Sequence, residues 1–192
     1  MKLSSLGAAA ALSAGVYEGV VATRRMARRR EVFARAQARA LEIGRPLVVV
    51  GNPDGGFHTR FQRGYSCGNI CVDLTGCPAC PVSIQADITK GIPEVADDAA
   101  VVFVSCVLEV VDDVEAAERE LLRIAGTSDN IFPVYVGAYS FTAFLYNGAQ
   151  RRATPDGWAP VTKGQVALAA GAAGLSLFVI GATLASVVGG KR

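Results

Sequence analysis

Two sets of residues in this chain have the types and spacing to do chemistry. The first begins with a glycine-rich turn, Gly51-Asn52-Pro53-Asp54-Gly55-Gly56. It continues with Asp73, with Asp87 beside Ile88, and with the pair Ser105-Cys106, each at the end of a short apolar run. A glycine turn lets the backbone come close to a ligand, and an acid ending the next strand can accept hydrogen bonds from ribose hydroxyls. An acid after a third strand can meet the exocyclic amine of adenine. In an open α/β fold all these positions fall at the carboxyl edge of the sheet, where such folds bind ligands.

The second set is Cys67-x3-Cys71-x5-Cys77-Pro-Ala-Cys80, with a fifth cysteine apart at Cys106. The clustered four read either as thiolate ligands of a tetrahedral zinc ion or as plain thiols. A secreted disulfide scaffold would be smaller and more evenly stapled, so the reading is a reducing compartment. A metal would tie down the short loop there and replace a missing crossover helix. The single histidine, His58, follows the glycine turn. It is a candidate general base, because imidazole titrates near neutrality, or else a surface loop side chain. No Ser/His/Asp set stands out and no Gly-Lys-Ser/Thr run occurs, so kinase, NTPase and triad-hydrolase chemistry are not indicated.

The elements that must position these residues alternate in type. Residues from about Arg24 to Leu41 read as a basic helix that stops near Gly44 and Pro46, with Met26, Phe33, Ala40 and Leu41 on its apolar stripe and the arginines on the other faces. PLVVVG reads as a fully buried strand ending at Gly51. NICVDL and SIQADI are shorter strands, and AAVVFVSCVLEVV carries the strongest strand signal. A helix follows over about 115–125, with Asp112 and Glu115 at capping-box spacing and Gly126 to stop it. A fifth strand, NIFPVYVGAYS, contains Pro133, which argues against a fully bonded central position. Strands alternating with helices indicate an α/β fold with a mostly parallel sheet.

With that motif order the chain resembles the class I S-adenosylmethionine-dependent methyltransferases over roughly residues 30 to 150. The most specific stretch is VVFVSCVLEVVDDVEAAERELLRIAG, where Leu108, Glu109, Val111, Asp112 and Arg123-Ile124 match. The resemblance implies a Rossmann-like sheet, truncated after strand five. It places Gly51 and Gly55 against the methionine part of the cofactor and Asp73 on the ribose, with Asp54 also among the cofactor-binding residues. Asp87 and Ile88 would frame the adenine, and Ser105 and Cys106 would line the pocket floor. The chain departs from the family pattern at Val49, Pro53 and Val110, where an acid, a glycine and a histidine are usual.

Apolar residues make up 51% of the chain against 19% charged, and the excess lies at the ends. Val166 to Val188 contains no charged residue, and as a helix those residues would cross a bilayer core of about 30 Å. Residues 163–192 are therefore expected to form a transmembrane helix, with Gly181, Ala185 and Gly189 spaced to admit a membrane-protein partner. Residues 1–23 compete as a second span, a cleaved signal or a targeting presequence, with a span favoured. The arginines at 24, 25, 28, 29 and 30 put the central domain on the cytoplasmic side and permit contact with anionic headgroups. Residues 24–44 then form the basic helix and 45–162 the methyltransferase-like domain. The net charge of +2 gives no reason to expect nucleic acid.

The expected function is that of a membrane-anchored methyltransferase using S-adenosylmethionine on a lipid, quinone-like or membrane-protein acceptor. The alternative is a catalytically inactive subunit of an organellar or viral membrane complex that keeps the fold. A nicotinamide-nucleotide binder is a third reading, but the turn is no closer to Gly-x-Gly-x-x-Gly than to the methyltransferase form.

Overall fold

A computed structural model describes residues 3–54, 64–135, 151–154 and 157–162. Its centre is a five-stranded parallel sheet in the order β3-β2-β1-β4-β5. The strands are β1 (Leu47–Val50), β2 (Ile70–Asp73), β3 (Ser83–Gln85), β4 (Val101–Ser105) and β5 (Ile131–Val134). The expected α/β, Rossmann-like class is therefore present. Pro133, which lacks an N–H, sits on β5 at the sheet edge, as its chemistry requires.

Both central strands are covered on both faces, and their side chains alternate between two cores. Leu47 and Val49 of β1, with Val101 and Phe103 of β4, pack beneath helix α1 (Leu3–Ile43). Val48 and Val50, with Val102 and Val104, pack beneath α2 (Val114–Ala125) and the 3-10 turn Ile88–Lys90. This two-sided burial explains why β1 reads as an unbroken β-branched run rather than an alternating one.

Helix α1 approaches the sheet through Val32, Phe33, Ala36 and Ala40, an i, i+4 stripe whose alanines allow close contact. It ends where Gly44 adopts φ +66° and the Arg45 N–H donates to the Ala40 carbonyl at 3.0 Å, a Schellman closure before Pro46. Two expectations change here. One continuous helix, Leu3–Ile43, runs through both the expected membrane segment over 1–23 and the expected separate basic helix over 24–44. Leu41, placed on the apolar stripe, is instead 84% exposed. Among the described residues no helix is long and apolar enough to cross a membrane. The expected C-terminal transmembrane helix, 163–192, lies outside the described residues.

The expected long fourth strand is also corrected. β4 stops at Ser105, and Cys106 takes φ +56°, turning the chain so that Leu108 drops into the α2-side core. Asp113, one residue past the expected Asp112, caps α2 by accepting from the Ala116 N–H at 2.8 Å. A two-stranded antiparallel sheet follows, β6 (Arg151–Thr154) with β7 (Gly157–Pro160). Its Trp158 packs edge-on to Tyr135, and Arg151 donates to the carbonyls of Val111 and Asp112.

Phe103 is fully buried and stacks against both Phe33 and Tyr65. Phe103→Ala should therefore cost about 3–5 kcal/mol, read as a lowered urea midpoint at unchanged slope. A loss below about 1 kcal/mol would mean that α1 does not cover this face.

Candidate functional site at the carboxyl edge

In this strand order the crevice between β1 and β4 is the point where the sheet's connections diverge to opposite sides, the usual ligand position in such folds. Gly51 closes β1 there with φ +106°. A side chain on it would press on the Ser105 carbonyl at 3.0 Å and on Val107 at 3.2 Å, so only glycine fits. The Asn52 side chain accepts from the Asp54 N–H at 2.9 Å and donates to the Gly76 carbonyl at 3.0 Å, and Pro53 is fully buried. Gly55 and His58 lie outside the described residues.

Asp73 ends β2 at the same edge and is half-buried. Its Oδ1 accepts from the Thr75 N–H at 2.9 Å and the Thr75 hydroxyl at 2.7 Å, and its Oδ2 accepts from the Asn52 N–H at 2.9 Å. A carboxylate offers about four acceptor positions, so one remains on Oδ2. Asp87, just past β3, repeats the arrangement. Its Oδ1 accepts from the Thr89 N–H and hydroxyl, while Lys90 Nζ lies 3.4 Å from Oδ2. The Thr89 hydroxyl bond, then the Thr89 N–H and Lys90, hold the Asp87 carboxyl below its ordinary value. Ile88 points into the α2-side core rather than toward the edge.

Ser105 ends β4 and is buried, and Cys106 follows it, partly exposed. Around them is a polar cluster that the sequence reading missed. Arg29 of α1 is only 5% exposed and donates through Nη2 to Cys106 Sγ at 3.1 Å. Its Nε and Nη1 have no hydrogen-bond partner among the described residues. Burial alone would lower the Arg29 guanidinium, but Cys106 first, then Tyr65 and Glu109, more than offset it and hold it above its ordinary value. Burial pushes the Tyr65 phenol up to about 12. Glu109 is 1% exposed. Placing every arginine on the solvated faces of α1 was thus an error. Arg29 precedes Val32, Phe33 and Ala36 by 3, 4 and 7 residues, the spacing of the buried stripe, and that was the available signal.

The four clustered cysteines are joined as two disulfides, Cys67–Cys80 and Cys71–Cys77, in place of the expected free thiols or metal ligands; Cys106 is free. Cys71 and Cys77 are fully buried and pack with Cys80 in the α1-side core. The bridges span a connection of residues 74–82, which joins two parallel strands without a helix. A separate concavity of about 380 Å³ lies between the start of α2 and the small sheet, lined by Asp112, Val114, Glu115, Arg151, Trp158 and Pro160.

Gly51, Asp73, Asp87, Ser105 and Cys106 are thus brought to one edge, while Ile88 is withdrawn from it. The edge fits a nucleoside in part, since one acceptor position of Asp73 stays open and the carboxylate's other three are used to hold turns. No family model, no curated protein and no solved structure matches the chain.

Two outcomes test the turn role of the acids. Asp73→Ala deletes three hydrogen bonds and should cost about 1–3 kcal/mol in chemical unfolding. By carbon-detected NMR the Asp87 carboxyl should titrate below the ordinary value of about 3.9, and Thr89→Val should move it upward. Because folding depresses this group, its contribution to stability is present above the unfolded value and is lost as pH falls through the folded one. An Asp87 midpoint unchanged by Thr89→Val would remove the assignment.

Proposed function

We propose that this chain is a membrane-tethered, methyltransferase-like domain that binds S-adenosylmethionine across the carboxyl edge of its sheet. The acceptor is a molecule of the same surface, of lipid, quinone-like or membrane-protein class. The observation that carries the reading is the convergence of Gly51, Asp73, Asp87 and Ser105-Cys106 on one edge of a parallel sheet ordered β3-β2-β1-β4-β5. The tether rests on the uncharged residues 166–188, and it would raise the local concentration of acceptors held at that surface.

In this arrangement the remaining acceptor position on Asp73 Oδ2 takes one ribose hydroxyl. Gly51 admits the ligand to the backbone beside Ser105. Methyl transfer draws mainly on alignment of donor and acceptor and on exclusion of water, so the chain's own contribution is a rigid edge. Arg29 supplies a buried positive charge beneath it.

A second reading has its own support. Pro53 is fully buried where the family has a glycine, and three of the four acceptor positions on Asp73 are occupied. These favour a catalytically inactive fold kept as a structural or assembly subunit of a membrane complex.

Calorimetric titration of the detergent-solubilised full chain with S-adenosylmethionine separates the two. The enzyme reading expects micromolar affinity, about −8 kcal/mol, weakened at least about tenfold by Asp73→Ala. Thr75→Val loosens the same turn but keeps the carboxylate, and it should leave most of the affinity. Absence of binding to folded protein would overturn the enzyme reading in favour of the structural one.

A further inference from the structure

Three of the four bridged sulfurs lie closer together than two separate disulfides require. The Sγ atoms of Cys71, Cys77 and Cys80 all lie within 4.8 Å of one another, although they belong to two different bridges. Cys67 Sγ is bonded to the third of them and so adjoins this group of three, although it is not itself one of the group. A tetrahedral zinc thiolate, with Zn–S near 2.3 Å, sets its sulfurs about 3.8 Å apart. The group of three is therefore of the right size once the S–S bonds are opened, with Cys67, on the adjoining loop, as the fourth ligand.

The backbone around it is already shaped for a metal. Cys77-Pro78-Ala79-Cys80 closes a tight turn through the Cys80 N–H to the Cys77 carbonyl at 2.9 Å, which brings both side chains to one side. The Cys77 N–H is held by the Ser83 hydroxyl at 2.7 Å, fixing the turn to the start of β3. Cys71 is anchored within β2, paired with Val49 on one side and Ser83 on the other. Three ligand positions are thus set by the strand and the turn, and only Cys67 comes from a preceding loop.

We propose that these four cysteines form a redox-gated zinc site. In a reducing compartment they hold one Zn²⁺ as a tetrathiolate, and under oxidation they release it and close as the two observed disulfides. Reduced assembly is Zn²⁺ plus four thiols giving the tetrathiolate, net charge −2, and four protons. Oxidation of that complex yields Zn²⁺, two disulfides and four electrons, which two molecules of a glutathione-type disulfide accept, with four protons, as four thiols. Either state staples the helix-free connection between β2 and β3. This step rests on the membrane tether of the proposed function, with which the arginines that follow residue 23 would put the domain on the reducing side of a membrane, where thiolates rather than disulfides persist.

The test uses the detergent-solubilised full chain, reduced with a phosphine and then supplied with Zn²⁺ or Co²⁺ alone. One metal per chain is expected, with the visible bands and sulfur-to-metal charge transfer of tetrahedral Co²⁺ thiolate. Metal should lower the count of alkylatable thiols from all five cysteines to one, Cys106. Cys106→Ser should keep full stoichiometry, while Cys77→Ser should weaken Co²⁺ binding by more than about 100-fold. Oxidised glutathione should expel the zinc and restore two bridges, read by mass and by released metal. Substoichiometric uptake by reduced, folded wild-type chain, or five alkylatable thiols with metal present, would overturn the proposal. The wild-type and Cys106→Ser arms decide it even where Cys77→Ser fails to fold. S-adenosylmethionine binding is not part of this test, so the two proposals stand or fall apart.

Discussion

A parallel sheet buried on both faces has no side to turn toward water, and everything in this molecule is arranged around that constraint. β1 and the first four residues of β4 are apolar, with side chains committed alternately to opposite cores. One cover is α1, which arrives before the first strand. The other is α2 together with the turn after β3. The covers are pinned at their rims by polar groups. Arg123 joins Glu120 and Asp97 beneath α2, and Arg45 pairs with Asp98 beside the first strand. Buried Asn130 links Arg39 of α1 to the Ala125 carbonyl that ends α2. Such pairs add little individually when exposed, but they set the register of helices whose apolar faces could otherwise slide.

The same constraint explains the carboxyl edge. Where strands end, the backbone must reverse without burying unmet N–H groups. Asp73 and Asp87 solve this in the same way, each gathering the N–H and hydroxyl of a threonine two residues on. An acid in such a place has a mechanical role before it has a ligand. Whether it has both depends on spare acceptor capacity, and Asp73 retains a single position.

Much of this was legible in the sequence because it depends on local chemistry. The run at β1 showed two-sided burial, Gly44 and Pro46 marked the end of α1, and Pro133 pointed to an edge strand. The misses share a different cause. The apolar run from Val101 to Val111 continues past the real strand end, because Val107, Leu108 and Val111 pack against the core from a turn rather than from a ladder. Periodicity registers apolarity and cannot register the reversal at Cys106. Cysteine spacing alone does not choose between bridge and ligand. Arg29 was misplaced because a charged residue on a buried stripe is a poor expectation until Cys106 and Glu109 are known to lie opposite it.

The direction of α1 carries one more consequence. The helix enters β1 through a short turn, so it runs back over the sheet toward the carboxyl edge, and Arg29 marks where it reaches that edge beside Cys106. The helix continues to Leu3, another 26 residues, or about 39 Å of rise. Beyond Val21 it exposes Val20, Tyr17 and Val16. It is therefore a rigid mast standing on the rim of the candidate site.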